Sequence, residues 1–369
     1  MNNPVITIDK AKYVFEYNEA GITFKNVRYD DTVNPYVTRG ELLYLDNRYK
    51  EAFPLVKEAA ENGNPRAMYI MARYYYDGYE TVTINEKERN NWYEKAYSYK
   101  ETLSMYGYAA WCLENDSEKQ NTLYEQLFND VKKLADKNDT FAQGIIGWMY
   151  DCGKGVIQDY AEAVKWYRKA AEGGYVHAQC NLGYMYENGY GIEQDKSKAV
   201  EWYRKSAEQG YARGQRALGY MYQKGFGITQ DYTKALDWYK KAAEQGYDIA
   251  MCDLGFMYEN GYGVEKDYAK AVEWYRKTAE QGNAIAQANL GYMYDLGYGI
   301  EQDKTKAVEW YRKAAEQGNA ISQANLGRMY ENGYGIEQDK TKAVEWYRKA
   351  AEQGNERAKN NLKNMGGSL

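Results

Sequence analysis

Residues 283–318 read NAIAQANLGYMYDLGYGIEQDKTKAVEWYRKAAEQG, and this 36-residue wording recurs in phase along the chain. Trp166, Trp202, Trp238, Trp274, Trp310 and Trp346 stand 36 apart, and so do Asp159, Asp195, Asp231, Asp267, Asp303 and Asp339. Asp303 has the short carboxylate that can accept a hydrogen bond from a free amide of a first helical turn. After it Ala307, Trp310, Tyr311, Ala314 and Ala315 fall at helical spacing and predict one apolar stripe. Gly318 follows as a stop. In the first half of the unit Ala286, Leu290, Met293 and Tyr294 share one helix face, and Gly291 removes a side chain where a neighbour must come close. Gly297 and Gly299 flank Tyr298 in a loop expected to need positive φ. Two helices inside a period of this size predict a solenoid of helix pairs.

The pattern thins outward from these copies but persists. Met71-Ala72, Tyr106-Gly107, Ile146-Gly147 and Leu182-Gly183 occupy the Leu-Gly position. Residues 91–97, NWYEKAY, place Trp92 in the tryptophan slot, and residues 49–63 place Leu55 there. The expected fold is all-α, a right-handed superhelix of about nine antiparallel helix pairs. Its parts are a short β-hairpin-like segment over 1–33, divergent helix pairs over 34–138, regular copies over 139–354, and a capping helix with tail over 355–369. The first segment follows from the alternating apolar and polar residues of VITID, KYVFEY and ITFKNV. It either shields the first helix pair or docks on its own. Polar ERAKNNLKNMGG at the other end suits the wettable outer face of a terminal copy.

Composition narrows the function classes. The net charge of −5 comes with no basic stripe, which argues against nucleic acid as a partner. No apolar run approaches the ~20 residues that span a bilayer, and the first residues lack the layout of a signal peptide. Cys112, Cys152, Cys180 and Cys252 do not recur as pairs, so thiols rather than a disulfide framework are expected. These features predict a cytoplasmic protein that does not insert into membranes. No cofactor or metal site is expected. His177 is the single histidine, the Gly-x-Gly loops lack the strand and Lys-Ser/Thr of a phosphate cradle, and the recurrent carboxylates are explained as helix caps.

The unit, written ANLGRMYENGYGIEQDKTKAVEWYRKAAEQGN over residues 324–355 with Tyr in place of Arg328 in earlier copies, resembles the Sel-1-like repeat family, relatives of tetratricopeptide repeats. Leu-Gly, the Tyr-x-x-Gly-x-Gly loop, the capping Asp and Trp-Tyr before Lys-Ala-Ala-Glu carry that resemblance, which covers nearly everything after residue 33. It implies an α-solenoid adaptor that scaffolds complexes or regulates signalling, secretion or cell-wall machinery. Secreted members with a cysteine pair per repeat differ from this chain.

Because the copies are so alike, the positions at which they differ stand out. On the helix holding Leu182, the residues His177, Cys180 and Tyr184 are expected opposite the core, at 100° per residue. By resemblance to tetratricopeptide arrays, that side is the concave face. The Tyr184 slot reads Trp148, Tyr184, Tyr220, Phe256, Tyr292 and Arg328 in successive copies, and Arg213 and Arg216 flank its middle. Tyr, Trp and Arg dominate binding hot spots. Such a row either forms an open groove or packs against the next copy, and burial separates the two. The expected function is therefore a non-enzymatic scaffold or adaptor that binds a protein or peptide along this face through Trp148, His177, Tyr184, Arg213, Arg216, Tyr220, Phe256, Tyr292 and Arg328. The alternatives are an immunity-type inhibitor that clasps an effector enzyme and a spacer that self-associates.

Overall fold

A computed structural model of the chain describes residues 5–8, 11–18, 21–24, 40, 43–44, 49–77, 82–98, 106 and 117–366. Gly107, Cys112, the boundary at 33/34 and residues 367–369 lie outside the described residues. The backbone of the first segment pairs as three antiparallel strands in the order β1 (Val5–Ile8), β2 (Ala11–Asn18), β3 (Gly21–Phe24). Beyond it the fold is an all-α repeat solenoid, with seventeen helices among the described residues. The divergent part holds α1 (Tyr49–Glu61), α2 (Pro65–Asp77), α3 (Glu86–Tyr97) and α4 (Ser117–Asp136). The regular copies begin with α5 (Thr140–Cys152), α6 (Tyr160–Glu172), α7 (Val176–Asn188), α8 (Lys196–Glu208) and α9 (Ala212–Lys224). They continue as α10 (Tyr232–Glu244), α11 (Asp248–Asn260), α12 (Tyr268–Glu280) and α13 (Ala284–Leu296). The series closes with α14 (Lys304–Glu316), α15 (Ala320–Asn332), α16 (Lys340–Glu352) and α17 (Glu356–Asn364).

The chain divides into two compact units, residues 1–230 and 231–369. Within each, every helix packs on the next in sequence, α4 through α9 in the first and α10 through α17 in the second. Connections this short make sequence neighbours antiparallel.

The repeat chemistry explains each boundary. Asp303 accepts from the Lys306 amide at 2.9 Å, starting α14, and Gly297 ends α13 in the left-handed conformation with φ of 75°. Gly299 does more than turn the chain. A Cβ there would lie 2.3 Å from the carbonyl carbon and oxygen of Tyr268, so the loop presses against the first turn of the preceding repeat's second helix. Gly291 is forced by a ring: its Cβ would stand 2.8 Å from Tyr311, which is fully buried. Each such buried tyrosine contributes on the order of 2 kcal/mol by leaving water.

Five tryptophans, Trp202, Trp238, Trp274, Trp310 and Trp346, depart from expectation. Trp310 is half-buried, on the rim of the core, with Lys313 Nζ 4.1 Å from its ring centre. The alanines take the helix–helix contact, and the indole is enclosed only where a further helix covers it, as at Trp166, which is buried with Lys132 Nζ 5.5 Å from its ring centre. Polar threads also link successive repeats: Gln317 donates to Gln287 Oε1 at 2.8 Å, and Gln287 donates to the Ala279 carbonyl at 3.2 Å.

Candidate interaction face

The first helix of the later repeats presents a surface stripe made by residues at i, i+4, i+7 and i+11. In α13 these are Ile285, Asn289, Tyr292 and Leu296, and in α11 Ile249, Asp253, Phe256 and Asn260. Large apolar groups lie open there. Tyr184 and Phe256 are each 42% exposed and Tyr292 40%, while Ile285 reaches 58% and Ile321 63%.

Rings of the row are braced by neighbours that sequence reasoning missed. In the first unit Tyr184 lies 5.8 Å from Tyr190, which stacks on Tyr160 at 5.1 Å. Tyr220 lies 6.2 Å from Phe226, under Lys196 at 3.8 Å. In the second unit Phe256, Tyr262 and Tyr232 form one triad, and Tyr292, Tyr298 and Tyr268 another. In the last regular copy Arg328, Tyr334 and Lys304 replace two rings with cations. A signal for these braces stands in the sequence, since an aromatic residue sits between the two loop glycines in successive copies. Burial and the neighbouring Tyr190 push the Tyr184 phenol up, as burial and Tyr298 do for Tyr292.

Two expected site residues are covered, His177 wholly and Trp148 in part. His177 is 7% exposed, with Arg73 Nη2 at 2.7 and 2.9 Å from its ring nitrogens and Tyr211 packed edge-on at 4.4 Å. Trp148 is half-buried between Tyr106 at 5.6 Å and Tyr124 at 5.5 Å. Phe141, one copy before His177, is likewise buried against Tyr44, Tyr69 and Tyr175. The divergent helices reach across this end of the face, and Arg66 seals it with a 2.8 Å ion pair to Asp139. Helical phase within one copy cannot register a contact with a residue 104 positions earlier. Cys180, expected on this side, is also buried.

The arginines are partly spoken for. Arg328 forms an ion pair with Asp295, a carboxylate 2% exposed that also takes Lys304 Nζ at 2.5 Å and the Tyr311 hydroxyl at 3.4 Å. Asp295 therefore already engages the guanidinium that was expected to meet a partner's carboxylate, and the Arg328 side chain stays 23% exposed. Arg213 is exposed but faces Asp151, whose carboxyl is raised by burial and pulled back by the Tyr167 hydroxyl and the Arg213 charge. Arg216 is half-buried, 5.7 Å over Tyr220.

Cys152, Cys180 and Cys252 are thiols rather than disulfide halves, and burial pushes Cys152 and Cys180 up to about 11. Among the described residues no group of three or more His, Cys, Asp or Glu is placed to hold a metal, and no helix is long and apolar enough to cross a membrane.

Residues 65–98, 140–175, 176–211, 212–247, 248–283, 284–319 and 320–355 each match the Sel1 repeat. A protective antigen of uropathogenic Escherichia coli strains with an SLR fold is 36% identical, covering 85% of this chain and 68% of the antigen, with a TM-score of 0.58. A Sel1 repeat protein from Oxalobacter formigenes is 39% identical over 63% of this chain and 93% of its own, with a TM-score of 0.59. Chitin synthase regulator SKT5 of Saccharomyces cerevisiae is 30% identical over 131 residues, 36% of this chain but 18% of the regulator's length.

Proposed function

The chain belongs to the Sel1 repeat family, and from that premise we propose that it is a non-enzymatic adaptor that binds protein through the ring-bearing faces of its units, each taken by itself. The observation that carries this is the set of braced but open rings, Tyr184 in the first unit and Phe256 and Tyr292 in the second. Rings held by their neighbours lose little freedom on binding, so the ordering cost falls on the partner. The similarity to a regulator of chitin synthase supports a role exerted through contact with another protein. Thiols at Cys152, Cys180 and Cys252 support a cytoplasmic setting.

The test is affinity capture from native lysate, followed by calorimetry on the captured protein with Tyr184→Ala/Phe256→Ala/Tyr292→Ala. Hot-spot rings are worth roughly 2 kcal/mol each, so affinity should fall by well over thirtyfold. A partner that binds the triple variant as tightly as wild type refutes the assignment.

A further inference from the structure

Two asparagine amides on the open face have no work inside the protein. Asn289 and Asn325 lie half-buried at the same phase of α13 and α15, and among the described residues neither side chain forms a hydrogen bond. Asn181 repeats the arrangement in α7 of the first unit, whereas Ile145, Ala217 and Asp253 fill the slot in the other regular copies. Other recurrent asparagines are satisfied. Asn188, Asn260 and Asn332 each donate to a carbonyl one turn back at 2.9 Å, and Asn283, Asn319 and Asn355 cap helices.

A primary amide offers an N–H donor and a carbonyl acceptor side by side, which is the complement of a peptide group. The mid-section of a helix has already used its main-chain groups internally, so it has none to exchange. An extended segment has both, and its side chains alternate to either side of the main chain. On α13 the amide is flanked by Ile285, Tyr292 and Leu296, and on α15 by Ile321, all of them open apolar groups.

We infer that the second unit grips the main chain of an extended, apolar-rich segment of a partner protein. Asn289 and Asn325 exchange hydrogen bonds with its peptide groups, and Ile285, Tyr292 and Ile321 receive its side chains. This rests on the binding role proposed for the face and adds what is read there: backbone rather than sequence-specific charge.

The probe is a short peptide selected from a displayed random library panned on the full chain, then synthesised and titrated by fluorescence anisotropy. Asn289→Ala/Asn325→Ala should weaken it roughly tenfold or more, since each lost hydrogen bond costs a few-fold to tenfold. N-methylation of the contacted peptide amide should weaken wild type equally and the Asn variant no further. Asn289→Asp/Asn325→Asp, which keeps the shape and removes the donor, serves if the alanine pair melts early. A peptide lost on Tyr292→Ala/Tyr298→Ala but indifferent to both asparagine pairs, or one that gains helical dichroism on binding, overturns the main-chain inference and leaves the face standing. Peptides indifferent to the tyrosine pair as well overturn the face itself.

Discussion

Gly299→Ala should destabilise the second unit by clearly more than Gly282→Ala, although both place a side chain at positive φ. Gly282 has φ of 98° and nothing within 4 Å of an added Cβ, so alanine there incurs only conformational strain, about 1–2 kcal/mol. Gly299 has φ of 66°, inside the left-handed well and so no more strained than Gly282, but its added methyl would fall 2.3 Å from Tyr268 backbone atoms and 2.6 Å from the Ala269 amide nitrogen. Backbone in the first turn of a helix cannot step aside as a flexible side chain can. Overpacking of that kind adds about 1–3 kcal/mol, so the expected total is about 2–5 kcal/mol for Gly299→Ala. Urea unfolding followed by tryptophan fluorescence measures both, with the slope compared to detect loss of cooperativity along the array. If Gly299→Ala falls no further than Gly282→Ala, the seating of each loop on the preceding repeat is not what couples neighbours.

Asp295→Asn should cost about 2 kcal/mol, because Arg328 and Lys304 lose the buried carboxylate they share; a thermal melt unchanged from wild type would contradict that. His177→Ala should destabilise the first unit by about 2 kcal/mol by leaving Arg73 against a cavity. His177→Phe, which copies the buried Phe141 of the same slot, should show in the same melt whether packing or polarity holds the closure. At alkaline pH the protein should unfold as tyrosinate absorbance appears. Burial raises Tyr203, Tyr275 and Tyr311, so their stabilisation is complete below the unfolded value near 10 and is lost as pH climbs above it. At acid pH the sign reverses: amide hydrogen bonds hold Asp195, Asp267, Asp303 and Asp339 below the usual carboxylate range. The stability they confer is present above about 4 and lost as pH falls through the native values; helicity followed down an acid titration checks it.

The fold was legible because each repeated residue answers a local need. Asp303 caps, Gly297 turns, and the stripe of Ala307, Tyr311, Ala314 and Ala315 faces inward at helical spacing. Trp310 shares that spacing without sharing the burial, so recurrence alone does not mark a core position. Its partner Lys313 lies one turn on and covers the ring from outside. The candidate face was legible only where its neighbours are its own repeat. Tyr184, Phe256 and Tyr292 are open where helical phase put them. His177 and Trp148 are not, since Arg73, Tyr106 and Tyr124 lie far back in a divergent stretch that no periodicity reaches. The Arg328–Asp295 pairing was hidden for a similar reason: it spans 33 residues and arises in one copy.

What repeats and what function requires are separable in this chain. The capping aspartates, the loop glycines, the buried tyrosines and the lysine-covered tryptophans each have a stated task in holding a helix or seating a loop. A binding role therefore falls to positions the fold leaves uncommitted. Some of those vary, as in the slot that runs from buried Phe141 and His177 through Arg213 to open Ile249, Ile285 and Ile321. Variation alone also fits positions under no constraint. The slot that reads Ile145, Asn181, Ala217, Asp253, Asn289 and Asn325 varies too, yet its three asparagines form no hydrogen bond within the described structure. A half-buried amide with no internal partner stabilises neither its helix nor its repeat, which leaves Asn289 and Asn325 free for the main-chain contact proposed above, and the paired alanine and aspartate variants decide whether they make it.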